Sequence, residues 1–140
     1  KIIGWHGRCI VHERFTPEMA ETVRADFPNV RILAHTECSP GVIAKVDFAG
    51  GTEGMINYIK QSDATQFMLI TECGLTDRMK SEMPEKRIVG SCALCPYMKK
   101  IMLKDVLTAL KNPRPDQIVE LPKAVMERAG KALQKMLDLT

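Results

Sequence analysis

Thiol, imidazole and carboxylate side chains recur along this chain at the points where apolar segments end. They fall into four groups: Cys9 with His12, residues 35–38 (His-Thr-Glu-Cys), residues 71–73 (Thr-Glu-Cys), and Cys92 with Cys95. Thiolates and imidazoles bind metal ions, while imidazoles and carboxylates transfer protons near neutral pH. If these groups meet in the folded protein, they would form a metal site, an acid–base site, or both.

The pattern of apolar residues predicts the elements that would position these groups. Strands are predicted at residues 2–6, 30–34, 66–71 and 87–89, with helices between them. A further strand at residues 118–121 and a long helix at residues 122–139, whose apolar stripe is expected to be core, end the chain. Strands that alternate with helices indicate an α/β fold, a parallel sheet with helices on both faces. Because such sheets bind ligands at the carboxyl ends of their strands, all four groups are predicted to lie at one edge.

The composition excludes several classes of protein. The chain has 140 residues, of which 45% are hydrophobic and 26% charged, which suits one compact domain. A net charge of +3, from scattered cations, gives no reason to expect nucleic acid as a partner. There is no apolar run near the ~20 residues that span a bilayer, and the first residues do not resemble a signal peptide. We therefore expect a cytoplasmic protein whose five cysteines are reduced and either metal-binding or buried.

Cys9 and Cys95 occupy comparable positions, each a few residues after a predicted strand and just before a helix. Loop thiolates at equivalent points of a repeated unit could hold an iron–sulfur cluster. The alternative is that both are ordinary buried cysteines. Cys92 and Cys95 together also match zinc or thiol-redox spacing, but the chain has no second such pair, and a thioredoxin-like motif would sit on the first strand–helix turn.

Five segments, in order and across nearly the whole chain, resemble the quinolinate synthase family. They are Gly-Arg-Cys-Ile-Val-His (7–12), His-Thr-Glu-Cys (35–38), Gly-Gly-Thr-Glu-Gly-Met (50–55), Thr-Glu-Cys-Gly-Leu (71–75) and Cys-Pro-Tyr-Met-Lys (95–99). The resemblance implies an enzyme that condenses iminoaspartate (iminosuccinate) with dihydroxyacetone phosphate, giving quinolinate, phosphate and water for NAD synthesis. L-aspartate oxidase or aspartate dehydrogenase would supply the iminoaspartate. No nucleic acid or membrane partner is expected.

The resemblance also implies a [4Fe-4S] cluster held by three cysteines, one from each of three similar α/β domains about a pseudo-threefold axis. Cys9 would be the second ligand and Cys95 the third, with the first in sequence upstream of this chain. Residues 1–90 would then be one domain, and residues 91–140 a C-terminal segment that packs on an absent N-terminal domain. We expect the fragment alone to be inactive. Cys38 and Cys73 are expected to be buried thiols, and Cys92 to pair with Cys95 when the cluster is lost.

Roles for other residues follow from the same resemblance. Glu37 is expected to be an acid–base catalyst, with helix capping as the alternative, and His35 to share this work or bind a substrate carboxylate. Thr36 and Thr52 are expected to bind substrate, although Thr52 could equally be a plain helix cap. His12 is assigned to the phosphate-bearing substrate.

The chain departs from the family pattern at a few positions. Thr36 stands where the family has Pro, and Gly51 and Glu53 where it has Ser. Gly51 lacks a hydroxyl that could have contacted substrate, and Glu53 adds a negative charge that must point away or be paired. The competing interpretation of the whole chain is a small α/β binding or redox-sensing module with incidental thiols.

Overall fold

A computed structural model describes residues 3–4, 6–90 and 92–139 of the chain. The chain divides into two compact units, Lys1–Lys99 and Lys100–Thr140. No helix among the described residues is both long and apolar enough to cross a bilayer.

The first unit alternates helices and strands. Its regular elements are α1 (Pro17–Asp26), β1 (Arg31–His35), α2 (Pro40–Ile43), β2 (Phe48–Gly50), α3 (Thr52–Gln61), β3 (Gln66–Ile70), α4 (Cys73–Glu82) and β4 (Arg87–Ile88). Short 3-10 turns lie at His12–Arg14, before α1, and at Met98–Lys100, where the first unit ends.

The four strands form one parallel sheet in the order β2-β1-β3-β4. The central pair is in register with Leu33 opposite Leu69 and Ala34 opposite Ile70. This arrangement confirms the predicted parallel α/β fold.

Successive apolar side chains of β1 and β3 point to opposite faces of the sheet, so each face has its own core. On one face, Ile32 and Met68 belong to a buried cluster with residues of α1 and α2. On the other, Leu33 and Leu69 pack in a cluster with α3 and α4. Since successive strand residues point to opposite faces, a strand covered on both sides must be apolar at every position, as β3 nearly is.

The sheet has a topological switch point between β1 and β3. The chain leaves β1 toward β2 through α2, and leaves β3 toward β4 through α4, and these helices pack on opposite faces. A crevice therefore opens at the carboxyl ends of β1 and β3, which is the usual ligand position in sheets of this kind.

Gly90, just after β4, has a backbone conformation that other residues rarely adopt. Its φ is +80°, and a Cβ there would lie 3.2 Å from the Met68 side chain. The loop with Cys92 and Cys95 lies beside the end of β3, where Ala93 bridges Glu72.

The second unit contains α5 (Leu103–Lys111), a 3-10 turn (Pro115–Gln117) and α6 (Lys123–Leu137). Neither helix buries a residue. The apolar stripe of α6, which the sequence predicted to be core, is exposed, with Leu133 at 59% and Leu137 at 61%.

Several predicted elements differ from the structure. In the predicted first strand, residues 2 and 5 lie outside the described part of the chain, and residues 3, 4 and 6 are not in a strand. The predicted strand at residues 118–121 is also absent, because that segment pairs with no neighbouring strand. Conversely, the three-residue β2 was not predicted, since its pattern is too short to be distinguished from the adjoining glycine turn.

Candidate active site at the carboxyl ends of β1 and β3

His12 lies buried at the centre of the crevice and contacts both strand ends. Its Nδ1 is 3.0 Å from Glu37 Oε2, just beyond β1, and its Nε2 is 3.1 Å from Thr71 Oγ1, just beyond β3. The ring stacks on His35 with 4.5 Å between centroids. Side chains from three separate segments of the chain are therefore joined through one imidazole.

The protons on this network can be assigned from its partners. Burial, together with the neighbouring His35, lowers the pKa of His12, against the opposing effect of Glu37. A neutral His12 carries one ring proton, and the carboxylate of Glu37 can only accept it. Nδ1–H therefore donates to Glu37, and Nε2 accepts from the Thr71 hydroxyl.

His35 contacts Glu37 differently. Its Nδ1 accepts a hydrogen bond from the Glu37 backbone N–H at 3.3 Å. Although the same nitrogen is 3.5 Å from Glu37 Oε2, it holds no proton to share with that carboxylate. A neutral His35 would thus carry its proton on Nε2.

The Glu37 side chain is exposed to solvent, although its carboxylate is hydrogen-bonded to His12. Its side chain is 55% exposed, whereas that of His12 is 7% exposed. Helix α2 is capped by Ser39, whose Oγ accepts from Val42 N–H, and not by Glu37. The capping alternative for Glu37 is therefore wrong, and its carboxylate is free to act on a molecule in the crevice.

Two cavities adjoin this network. One of about 300 Å³ is lined by predicted residues from separate elements, His12, His35 and Thr52. The other, of about 610 Å³, is lined by Cys9, Glu37 and Cys38, among other residues. Of the remaining predicted site residues, Thr36 is exposed in the turn between His35 and Glu37, and Cys95 is buried beyond β4.

Two of the three positions at which the chain departs from the family pattern, Gly51 and Glu53, lie at the start of α3. Gly51 is the N-cap residue and makes no side-chain cap, and a Cβ built on it meets nothing within 4 Å. Glu53, in the first turn, is exposed to solvent. The structure thus has room at residue 51 for the larger family residue.

The five cysteines separate into free thiols and one disulfide. Cys9, Cys38 and Cys95 are free, and Cys73 forms a disulfide with Cys92. Cys38 and Cys73 are both buried, as expected, but Cys73 is not a free thiol, and Cys92 is bonded to Cys73 rather than to Cys95. Parallel bridging of Glu72 with Ala93 aligns the end of β3 with the loop after β4, and this brings Cys73 beside Cys92.

Cys38 is a buried thiol that contacts the end of β3. Burial raises the pKa of Cys38 to about 11, and its Sγ lies 3.7 Å from the Ile70 carbonyl oxygen. A metal ligand must be a thiolate, so Cys38 is poorly suited to the role. Cys9 and Cys95 remain as the free thiols that could ligate a metal or a cluster.

Glu72 fastens the loop that carries Cys95. Its Oε2 accepts from Gly74 N–H at 2.6 Å, capping α4, and its Oε1 accepts from Cys95 N–H at 3.2 Å. Lys99 Nζ lies 3.4 Å from the same Oε1. Burial favours the neutral acid, but the two backbone donors and Lys99 outweigh it and lower the pKa of Glu72. Glu72 is therefore ionised at neutral pH.

Thr71, Glu72 and Arg78 line the smaller cavity, and no role was predicted for any of them. The signal available in the sequence was a repeat, because Thr-Glu-Cys occurs at residues 36–38 and again at 71–73. These are the segments that follow β1 and β3, the two strands at the switch point. Arg78 carried no such signal, and it forms an ion pair with Glu82.

Comparisons with known proteins match the chain to one family. A family model described as quinolinate synthetase A protein matches residues 1–138. Quinolinate synthase 1 of Mesorhizobium japonicum is 42% identical over 98% of this chain and 42% of its own length. The quinolinate synthases of Caulobacter vibrioides and Xylella fastidiosa are 38% and 39% identical, over 99% of this chain and 37% and 40% of their own lengths. The chain thus spans about two fifths of the length of these relatives.

Proposed function

The chain belongs to the quinolinate synthetase A family, and on that premise we propose that it is part of a quinolinate synthase. The full-length enzyme would condense iminoaspartate with dihydroxyacetone phosphate to give quinolinate, phosphate and water. The observation that carries the proposal is the convergence of Glu37, His12 and His35 at the switch point, within the segments that resemble the family's motifs.

We propose that Cys9 and Cys95 ligate a [4Fe-4S] cluster. The sorting of the thiols supports this ligand set, because these two are free while Cys38 is held protonated and Cys73 and Cys92 are bonded to each other. The third thiolate would come from the part of the longer relatives that this chain does not cover. A cluster with an open iron supplies a Lewis acid that helps hydroxide to leave.

The residues of this chain would hold substrate and move its protons. Glu37 is the proposed acid–base catalyst, because ring formation requires protons to leave carbon. The His12 Nδ1–H bond orients the reacting carboxylate. Both nitrogens of His12 are engaged, so its proposed role in binding the phosphate-bearing substrate would require one of them to exchange partners.

Substrate anions would be held on the other side of the crevice. Thr52, the first residue of α3, can offer its hydroxyl and backbone N–H to a carboxylate. His35 lines the same cavity and can donate from Nε2. Thr36, in the turn between His35 and Glu37, would contribute backbone contacts.

We propose a role for the second unit, residues 100–140, in the full-length enzyme. Its amphipathic helices, which bury no residue here, would pack on the N-terminal domain of the full-length enzyme.

L-aspartate oxidase or aspartate dehydrogenase would act upstream. We propose a cytoplasmic location, since cluster assembly requires reduced thiols.

The test uses anaerobically purified full-length protein. It is expected to be brown, to contain iron and sulfide near four each per chain, and to form quinolinate from the two substrates. Protein that stays colourless after cluster reconstitution would contradict the proposal. It would favour the alternative of an α/β binding or redox-sensing module, consistent with the Cys73–Cys92 disulfide.

A further inference from the structure

Three potential metal ligands of different kinds meet at the crevice within the described part of the chain. The Sγ of Cys9, a ring nitrogen of His12 and a carboxylate oxygen of Glu37 all lie within 4.8 Å of one another. Cys9 and His12 lie in or beside the first 3-10 turn, and Glu37 lies in the turn after β1. This set differs from the proposed cluster ligands, with which it shares only Cys9.

The local backbone holds the first two ligands on one side of a turn. Glu13 N–H donates to the Cys9 carbonyl at 3.1 Å, and Arg14 N–H donates to the Val11 carbonyl at 3.2 Å. Cys9 and His12 are separated by two residues, a ligand spacing of the kind found in structural and catalytic zinc sites.

Glu37 supplies the third ligand, and Thr71 contacts the other ring nitrogen of His12. Because Thr71 Oγ1 can also accept a hydrogen bond, Nε2–H of His12 can donate to it, and this leaves the lone pair of Nδ1 facing Glu37. A lone pair and a carboxylate 3.0 Å apart repel unless a cation lies between them. A proton fills that place in the neutral hydrogen-bonded form, and a metal ion beside Cys9 could replace it.

We propose that Cys9, His12 and Glu37 bind a single divalent transition-metal ion when the protein lacks its cluster. A thiolate, an imidazole and a carboxylate suit zinc and exclude magnesium or calcium, which prefer oxygen ligands. Three protein ligands leave a fourth position for water. Since Cys9 belongs to both ligand sets, the single ion and the proposed cluster exclude each other. This exclusion, and with it the condition that the cluster be absent, rests on the proposed function.

The direct test titrates cluster-free full-length protein with Co²⁺ as a spectroscopic probe and then displaces it with Zn²⁺. One Co²⁺ per chain is expected, with a tetrahedral absorption spectrum and one thiolate charge-transfer band. Cys9→Ser should remove that band. Glu37→Gln and His12→Phe should each weaken binding by ~10-fold or more. Thr71→Val should weaken it by ~10-fold, because it removes the hydrogen bond that orients the His12 ring.

Two variants separate this site from the cluster thiolates. Cys95→Ser should leave Co²⁺ affinity unchanged, and Glu13→Gln, a carboxylate lining the same larger cavity, should do so as well. If Cys95→Ser weakens binding while Glu37→Gln does not, the ion sits on the cluster thiolates and the proposal is overturned, as it is by an absence of binding. Glu37 is half exposed, so its variant remains informative if His12→Phe fails to fold.

A second measurement tests the mutual exclusion. Zinc-loaded full-length protein should take up no cluster during reconstitution until a chelator removes the zinc, whereas zinc-treated Glu37→Gln should take it up normally. Equal cluster uptake with and without zinc would contradict the exclusion. A protein that binds Co²⁺ at this site but never forms a cluster would overturn the proposed function alone.

Discussion

The carboxylate of Glu72 accepts a hydrogen bond from the backbone N–H of Cys95 across 3.2 Å. The other carboxylate oxygen accepts from Gly74 N–H at the start of α4. One buried carboxylate therefore ties the loop of a proposed cluster ligand to the end of the central strand β3.

Glu72→Gln should loosen the cluster in the full-length enzyme. Both carboxylate oxygens of Glu72 accept backbone N–H groups, but Gln has only one oxygen, so its NH₂ must face a donor. We expect iron to be retained ~10–100-fold less tightly, as for other residues that orient metal ligands. The measurement is the rate of iron transfer to a chelator under anaerobic conditions. Glu82→Gln, an exposed carboxylate on the same helix, is the control and should release iron at the wild-type rate.

Cys9→Ala or Cys95→Ala should abolish both the brown colour and quinolinate formation, because the remaining thiolates are too few to hold a cubane cluster. Cys92→Ala and Cys38→Ala should retain both, since the first residue is bonded to Cys73 and burial holds the second as a thiol. Iron and sulfide analysis of the four variants decides this. A cluster lost in Cys92→Ala and kept in Cys95→Ala would reverse the assignment of ligands.

Glu37→Gln should keep the cluster and bind substrates but lower turnover by ~10²-fold or more. Gln can still accept the His12 Nδ1–H bond, but it cannot take a proton at neutral pH. Steady-state quinolinate formation is measured beside a melting curve. The matched control is Ser39→Ala, which removes the α2 cap and should cost about 1 kcal/mol of stability with normal turnover. Near-normal turnover in Glu37→Gln would leave His35 as the next candidate.

Asp47 should make stability depend on acid pH. Its carboxylate accepts from Ile32 N–H at 2.7 Å and from Arg24 at 2.8 Å, with Arg31 at 3.3 Å. Burial raises the pKa of Asp47, but these donors outweigh burial and lower it overall. The stabilisation is therefore complete above the ordinary Asp pKa and is lost as pH falls through the lower pKa of the folded state.

Asp47→Asn should thus destabilise the protein at pH 7 by about 1.5–3 kcal/mol and flatten the acid limb of its stability profile. Denaturation of full-length protein at a series of pH values measures both effects. Asp77→Asn, at an exposed position on α4, should change neither. An acid limb in Asp47→Asn as steep as that of the wild type would show that other groups cause it.

Gly51→Ser should restore a family hydroxyl at no steric cost. Residue 51 has φ −73° and ψ 175°, which any residue adopts, and open space surrounds the position of its Cβ. If the hydroxyl contacts substrate, KM should fall by up to about tenfold with kcat little changed, the worth of one hydrogen bond. Gly51→Ala adds the Cβ without the hydroxyl and serves as the control. An equal KM in both variants would mean that the hydroxyl makes no substrate contact.

The fold class, and the edge of the sheet where the candidate site lies, can be predicted from the pattern of apolar and polar residues. Continuous apolar segments such as residues 66–70 predict strands buried on both faces, and polar residues after them predict a site at the strand ends. His35 and Glu37 follow from this rule because they adjoin a strand in the chain. The local pattern is sufficient for this prediction, because a run of apolar residues and the polar residues that follow it are neighbours in the chain.

The contacts between these groups could not be predicted from the sequence. His12 joins Glu37 and Thr71, Glu72 holds Cys95, and Cys73 bonds to Cys92, and each contact links segments far apart in the chain. The order of strands brings such segments together, and strand order is set by how helices cover the two faces rather than by the residues near the contact. Residues 118–121 were predicted to be a strand from their residue types but do not form one. A segment with strand-forming residues becomes a strand only when a partner supplies its backbone hydrogen bonds.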